Sequence, residues 1–402
     1  MYPIWYDETL KKAFEKALLG NAQIGFRLEF MMPNWADPSN WTNPSIKETV
    51  VKSVGVAQAN VIEGQVSLEA TATAPTRQLD LTFVDVNDEY DLGSLDGNTF
   101  LSPEKMIKVW YRVHVPEATQ YNAWMEVPIF SGHIATIEKE AKIVSLSALS
   151  KDSRYLEPCV FSPTKGQNKQ LWKGLRVTDA IRYILGCHGE QMYRMPVSNE
   201  RLRSNLLIKW DDVPWAVCQK IAQAASMHLY YDGYGNCVLR RFTNNCQKEF
   251  NGDWLVEWPQ RKLDFTEIRN VVVFKGAKGV RAVARNQRNP LDYQYIKQWK
   301  VEIMENSNVK RQDVALKLAQ AELKKKQTTA NSIGCTTLVF PQIEEYDNIR
   351  IRDPIKYGMP GYPNGGSVNI FHLGKATIPL DFRTPMTINK EYPFSYKLKR
   401  KD

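Results

Sequence analysis

The chain has 402 residues, 43% of them hydrophobic and 11% aromatic, and a formal net charge of +9. That length exceeds what one hydrophobic core serves, so two to four domains are expected, and the composition excludes a disordered chain. The charge excess is modest for the length, and part of it is clustered in Lys324-Lys325-Lys326 and in the tail Lys397, Lys399, Arg400 and Lys401. These clusters read either as solvated ends or as contacts with nucleic acid or an acidic partner.

From the N-terminus, residues 7–19 have the pattern of a short amphipathic helix. Asp7 is the expected N-cap, Leu10, Phe14, Ala17 and Leu18 share a face, and Gly20 stops the helix. Ile24, Phe26, Leu28 and Phe30 then alternate as a strand does. Residues 33–52 read as a loop, with Pro33, Pro38 and Pro44 among polar residues. Its Trp35 and Trp41 would either pin the loop down or meet a neighbouring subunit.

Alternation resumes through Val66, Leu68 and Ala70, and again through Leu79, Leu81 and Phe83, which predicts two strands joined near Pro75. Asp85, Asn87, Asp88 and Asp91 superficially resemble a calcium loop. Tyr90 stands where glycine is needed, and Asp96 stands where a bidentate Glu is needed, so an Asx-rich turn is the better reading. The clearest β pattern lies between Leu101 and Pro158. Ile107, Val109, Tyr111, Val113 and Val115 alternate strictly. Ile129-Phe130 would end at a tight break, Ser131-Gly132-His133, before a strand through Ile134 and Ile137 and a third through Ile143–Leu149.

Residues 158–173 read as a polar loop. Val177, Ala180, Ile181, Ile184 and Leu185 predict a helix after Gly174. A second helix is expected behind Asp212 as N-cap and Pro214 in the first turn, with Trp215, Cys218, Ile221, Ala222 and Ala225 on its apolar face. His228–Tyr231, a turn at Asp232–Gly235 and Cys237–Phe242 read as a hairpin. Strands are then expected at Trp254–Trp258, Asn270–Lys275, Thr336–Phe340 and from Ile349. A helix is expected over 313–326 on Val314, Leu318, Ala321 and Leu323, residues 357–366 read as a turn-rich loop, and weak alternation surrounds Ile378, Leu380 and Phe382.

No nucleophile elbow, phosphate loop or zinc-protease motif is present. The six cysteines (159, 187, 218, 237, 246 and 335) contain no C-x-x-C pair, and no histidine lies at zinc spacing, so no metal or cofactor is expected. Cys187 and Cys218 lie within helical apolar patterns and read as buried thiols, and a reducing compartment during synthesis fits best. The start has no signal-peptide pattern and no run is long enough to span a membrane. Asp211-Asp212 could in principle do acid–base or metal work, but helix capping is the cheaper explanation. The five histidines (114, 133, 188, 228 and 372) are scattered, and Gly233-Tyr234-Gly235 belongs to a hairpin turn. Three readings compete. A structural part is favoured. A carbohydrate- or receptor-binding module would need Trp254 with Trp258, or Trp35 with Trp41, on one open face. A hydrolase would draw on Asp211, Asp212 and His228.

The order of segments carries a resemblance. "FSGHI" and "SLSALSKDSRYLE" are followed by "WKGLRVTDAIRYIL" and "IKWDDVPWAVCQKIAQAASMHLYYDGYGNCVLRRF", then by "IRNVVVFKG", the helix at 313–326 and "TLVFPQIEEYDNIRIRD". Over roughly residues 50–395 the chain resembles the baseplate hub, or minor tail, proteins of long-tailed bacteriophages, whose hub module is shared with contractile injection systems. The resemblance implies a β-rich α+β fold with two tail-tube-like β-barrel domains, an inserted small α+β domain and short helices. The expected divisions are an N-terminal helix at 1–21, a first barrel-like domain at 22–160, the insert at 165–250, a second barrel-like domain at 255–395 and a basic tail at 396–402. It further implies a homotrimer in the virion tail tip, made in the host cytoplasm without membrane insertion. Its partners would be a tail-tube or distal tail ring and a central fibre or tip protein, with genomic DNA passing transiently through the lumen. The family offers no catalytic residues to carry over, so any enzymatic activity is expected in another polypeptide.

Overall fold

The computed structural model describes residues 7–20, 22–35, 46–56, 61–69, 76–85, 105–158, 168–196, 199–241, 245–257, 259–263, 269–286, 292–305, 311–328, 331–351, 370–381 and 384–391. The chain divides into two compact units. The first comprises Met1–Lys248, Thr337–Ile349 and His372–Thr387; the second comprises Glu249–Thr336, Arg350–Phe371 and Ile388–Asp402. No helix among the described residues is long and apolar enough to cross a membrane.

The first unit opens with α1 (Glu8–Leu19). The Asp7 carboxylate accepts the Thr9 N–H at 2.8 Å, as expected of an N-cap, and Leu10, Phe14 and Leu18 are buried at four-residue intervals. Seven strands follow: β1 (Ile24–Trp35), β2 (Ile46–Val56), β3 (Val61–Glu69), β4 (Arg77–Val84), β5 (Met106–His114), β6 (Trp124–Glu140) and β7 (Ile143–Ser150). With the later strand Lys375–Pro379 they pair in the linear order 375–379, β3, β4, β7, β6, β5, β1, β2, with antiparallel neighbours throughout; no pairing among the described residues closes this order into a barrel. One face carries Phe26, Leu28, Val109, Tyr111, Val127, Leu79 and Leu81, all buried. Alternation produced this face because a strand turns successive side chains to opposite sides.

Two expectations in this region change. The reading of 33–52 as loop gives too little strand: β1 runs to Trp35, and β2 begins at Ile46. Trp41, Ala70, Asn87, Asp88 and Asp91 lie outside the described residues. Ser131-Gly132-His133 is not a break, since β6 continues through it for 17 residues. Gly132 is required there by proximity, not by a turn. A Cβ at this position would lie 2.1 Å from the Leu149 carbonyl oxygen and 2.8 Å from the Phe130 ring. Register shifts at Val109/Trp110 and Ile134/Thr136 let so long a strand bend without losing its pairing.

Residues 168–241 form a subdomain with its own core inside the first unit. It contains β8 (Lys169–Leu171), α2 (Val177–Gly186), β9 (Tyr193–Arg194), β10 (Leu206–Ile208), α3 (Pro214–Ala224), β11 (Met227–Tyr231) and β12 (Cys237–Arg241). Ile181, Ile184, Leu185, Trp215, Cys218 and Leu229 make that core. The stretch expected to be a polar loop thus contributes a strand, β8, which pairs with β10. Pro214 occupies the first turn of α3, where its missing N–H costs nothing, but the N-cap is Val213. The Asp212 carboxylate instead accepts the Lys209 N–H at 2.8 Å in the preceding turn. The expected hairpin is present, with Tyr231 opposite Cys237. β9 adds in parallel to β12, a pairing too short to leave a sequence pattern.

In the second unit, Gln260–Leu263 pairs with Asn331–Thr337. A separate sheet sets Val271–Lys275 between antiparallel Arg281–Arg285 and parallel Val301–Glu305. The helix Gln312–Thr328 covers one face of this sheet. Its buried side shares only Leu323 with the expected one: Ala315, Ala319 and Leu323 pack on Val272, Phe274, Ala282 and Ala284, while Val314 and Leu318 are exposed. Small residues let the helix approach the sheet closely, so volume rather than hydrophobicity selects the inward face. Trp254–Trp258 is not a strand. Trp254 lies in a turn, its N–H bonded to the Asn251 carbonyl at 3.0 Å, and Trp258 lies outside the described residues.

Candidate functional site

The most unusual local chemistry is a buried charge network in the first unit. Arg77 stands at the start of β4, with 1% of its side chain exposed, opposite Glu345 with none. Its Nε and Nη2 each donate to one Glu345 oxygen at 2.7 Å, and Nη1 donates to the Ile129 carbonyl of β6 at 2.7 Å. This bidentate geometry is the one that offsets desolvation best. Its backbone N–H donates to Ser150 Oγ at 3.0 Å, and the neighbouring Thr76 N–H donates to Asp152 at 2.8 Å. Asp152 also accepts from Ser150 Oγ.

The network extends into the subdomain. Arg194 of β9 donates to Glu344 at 2.9 Å and approaches Asp232 at 3.3 Å, and Tyr230 donates to Glu344 at 3.2 Å. Arg240 of β12 donates to Asp347 at 2.8 Å and to the Glu345 carbonyl at 3.2 Å. The segment 344–347 is thereby gripped from β4, β9, β11 and β12. Asp347 accepts the Glu344 N–H at 2.8 Å, while Tyr346 adopts a left-handed φ of 59° and stacks on His228 at 4.0 Å.

A second carboxylate, Glu190, accepts from Lys151, Tyr155, Tyr231, and the Gln191 and Met192 N–H groups, at 2.8–3.2 Å. Tyr231 in turn stacks between Tyr155 and Trp215. The turn Asp232–Gly235 then seats against β6. A Cβ on Gly233 would lie 2.2 Å from the Pro128 carbonyl oxygen, and one on Gly235, where φ is +94°, would lie 2.7 Å from Ser131 Oγ. Tyr234 meets Trp110 edge-on at 5.8 Å and lies under the Lys108 ammonium at 3.9 Å. The turn reading of these glycines was correct but incomplete, because close docking requires them as well.

Burial pushes the Glu345 carboxyl up to about 7 against the opposing pull of Arg77, and pushes Asp152 up to about 6 against its hydrogen bonds from Ser150 and Thr76. Burial, with Arg154 and Lys151 nearby, lowers His133 to about 3. These are the shifts of a dry structural junction. The carboxylates answer cations and N–H groups, and this arrangement ties segments together.

The residues proposed for chemistry do not assemble. Asp211 and Asp212 precede α3, while His228 sits on β11 under Tyr346, and no contact among the described residues links the acids to it. No group of three or more potential metal ligands occurs among the described residues. Trp254 is buried edge-on against Phe250 at 6.1 Å and cannot serve as a glycan platform. The arginines and the Glu344–Asp347 run were missed from sequence. Their available signal was an acidic run behind Pro341, which looks solvated until the fold encloses it.

No protein family matches the chain, and no curated protein matches it. Solved structures share its fold, among them two tail proteins. The 43 kDa tail protein of prophage MuSo2 from Shewanella oneidensis aligns with a TM-score of 0.56 and 12% identity, over 92% of this chain and 98% of its own. The tail protein from Neisseria meningitidis MC58 aligns with a TM-score of 0.55 and 12% identity, over 92% of this chain and 97% of its own.

Proposed function

We propose that this chain, which carries the fold of those two tail proteins, belongs to the phage baseplate hub group and serves as a structural part of the virion tail tip. The observation that carries this reading is the match of fold over 92% of this chain and 98% and 97% of the two tail proteins. In this reading three copies form a ring that matches a sixfold tail tube to a threefold tip and lines the channel for DNA ejection. Residues 22–160 and 255–395 supply barrel-like halves, 165–250 is the insert, and 1–21 and 396–402 are the terminal helix and basic tail. The partners are a tail-tube or distal tail ring and a central fibre or tip protein. The chain is made in the host cytoplasm and carries no enzymatic activity of its own.

The buried network supports a mechanical role. A part that transmits force between rings gains from segments locked by charge-assisted bonds that break only together. The test is the native mass of the purified chain together with negative-stain images of the same peak. A ring of three 46.2 kDa chains with a central opening is expected. A monomer over a wide concentration range that also fails to join tail particles would overturn the hub reading.

A further inference from the structure

On the subdomain, α3 and the segment 200–207 enclose a groove of about 300 Å³. Its floor is apolar, including Val177, Ile221 and Ala225. Leu207 lines it while 58% exposed, since β10 turns Leu206 and Ile208 toward the core and Leu207 away from it. Two cations on the lining, Arg203 and Lys220, have no hydrogen-bond or ion-pair partner among the described residues. The acids on the same lining are already engaged: Asp212 accepts the Lys209 N–H, and Glu200 lies 3.8 Å from Arg241. Arg201 donates to the Gly174 carbonyl at 2.6 Å. The groove therefore offers an apolar slot with two uncommitted positive charges beside it.

We propose that this groove docks an acidic, leucine-bearing peptide segment of a partner tail protein. The apolar side chain would fill the slot, and flanking carboxylates would pair with Arg203 and Lys220. Burying one large apolar side chain supplies most of the affinity, while the cations select sign and orientation. This rests on the reading of the chain as one part of a multiprotein tail, but its test uses the isolated full chain.

The probes are three fluorescein-labelled 12-residue peptides: one alternating leucine pairs with glutamates, one with lysine in place of glutamate, and one with serine in place of leucine. Fluorescence anisotropy should give at least tenfold tighter binding of the glutamate–leucine peptide than of either control. The double variant Arg203→Glu/Lys220→Glu and the single variant Leu207→Ser should each weaken it at least tenfold. All three positions line an open groove, and circular dichroism checks that each variant folds. Equal binding of all three peptides, or binding unaffected by the variants, would overturn the proposal. So would a 12-nucleotide single strand that competes fully and ignores Leu207→Ser, which would assign the cations to a polyanion. Variants that enter tail particles normally yet still bind the peptide undiminished would reject the groove and leave the hub reading intact.

Discussion

The Arg77 guanidinium and the Glu345 carboxylate meet side-on through two 2.7 Å hydrogen bonds across 268 residues of sequence. Neither group reaches water, and Arg77 spends its remaining edge on a β6 carbonyl. Such a pair contributes little net stability when intact, yet either half left alone is costly.

Arg77→Met and Glu345→Gln should therefore each destabilise by about 3–5 kcal/mol. The double variant Arg77→Met/Glu345→Gln should cost clearly less than the sum. Urea denaturation of the four proteins measures this cycle, and strict additivity would remove the coupling inferred from the geometry.

Gly132, Gly233 and Gly174 should respond to alanine in a graded way. At Gly132 and Gly233 an added methyl would meet backbone oxygens at 2.1 and 2.2 Å, whereas at Gly174 it meets nothing within 4 Å and only the φ of +91° opposes it. Gly174→Ala should cost about 1–2 kcal/mol. The other two should cost more and lower the thermal midpoint further. Equal effects at all three sites would sink the close-approach argument.

His133 should contribute an acid-dependent loss of stability. Its folded value of about 3 lies below the ordinary imidazole value of 6.5, so the unfolded chain takes up the proton first. The contribution is complete above pH 6.5 and declines as pH falls toward 3, by about 2 kcal/mol at pH 5. Asp152 and Glu345, raised to about 6 and about 7, act with the opposite sign, since their contributions fade as pH rises through those values. His133→Gln should thus flatten the acid side of the stability profile relative to the parent. An unchanged difference between pH 5 and pH 7.5 would contradict this.

The helix Gln312–Thr328 should tolerate change on the side the sequence advertises and resist it on the side the fold uses. Leu318→Ser, at an exposed position, should fall within about 0.5 kcal/mol of the parent. Ala319→Leu, at a fully buried position, should cost about 1–3 kcal/mol through overpacking. Chemical denaturation followed in the far ultraviolet distinguishes them.

Alternation in β4 and β7, the fourfold spacing in α1 and the apolar set of α2 were legible because local periodicity decides which face is buried. The Asp232–Gly235 turn was legible for the same reason, since its residues carry their own backbone preferences. The passage of β6 through Gly132 was not, because a glycine demanded by a neighbouring strand looks in sequence like one demanded by a turn. Nor was the inward face of the helix Gln312–Thr328, where closeness to the sheet favours Ala315 and Ala319 over larger neighbours.

By itself, then, the sequence determined a β-rich chain with a small α+β insert. Only the tertiary structure decided that Arg77, Glu344, Glu345, Asp347 and Asp232 are buried in one network that the part-exposed Arg194 and Arg240 complete. Each is an ordinary surface-type residue locally. Its burial is tolerable only because partners scattered from residue 77 to residue 347 converge on it, and such compensation depends on distances that no local pattern records.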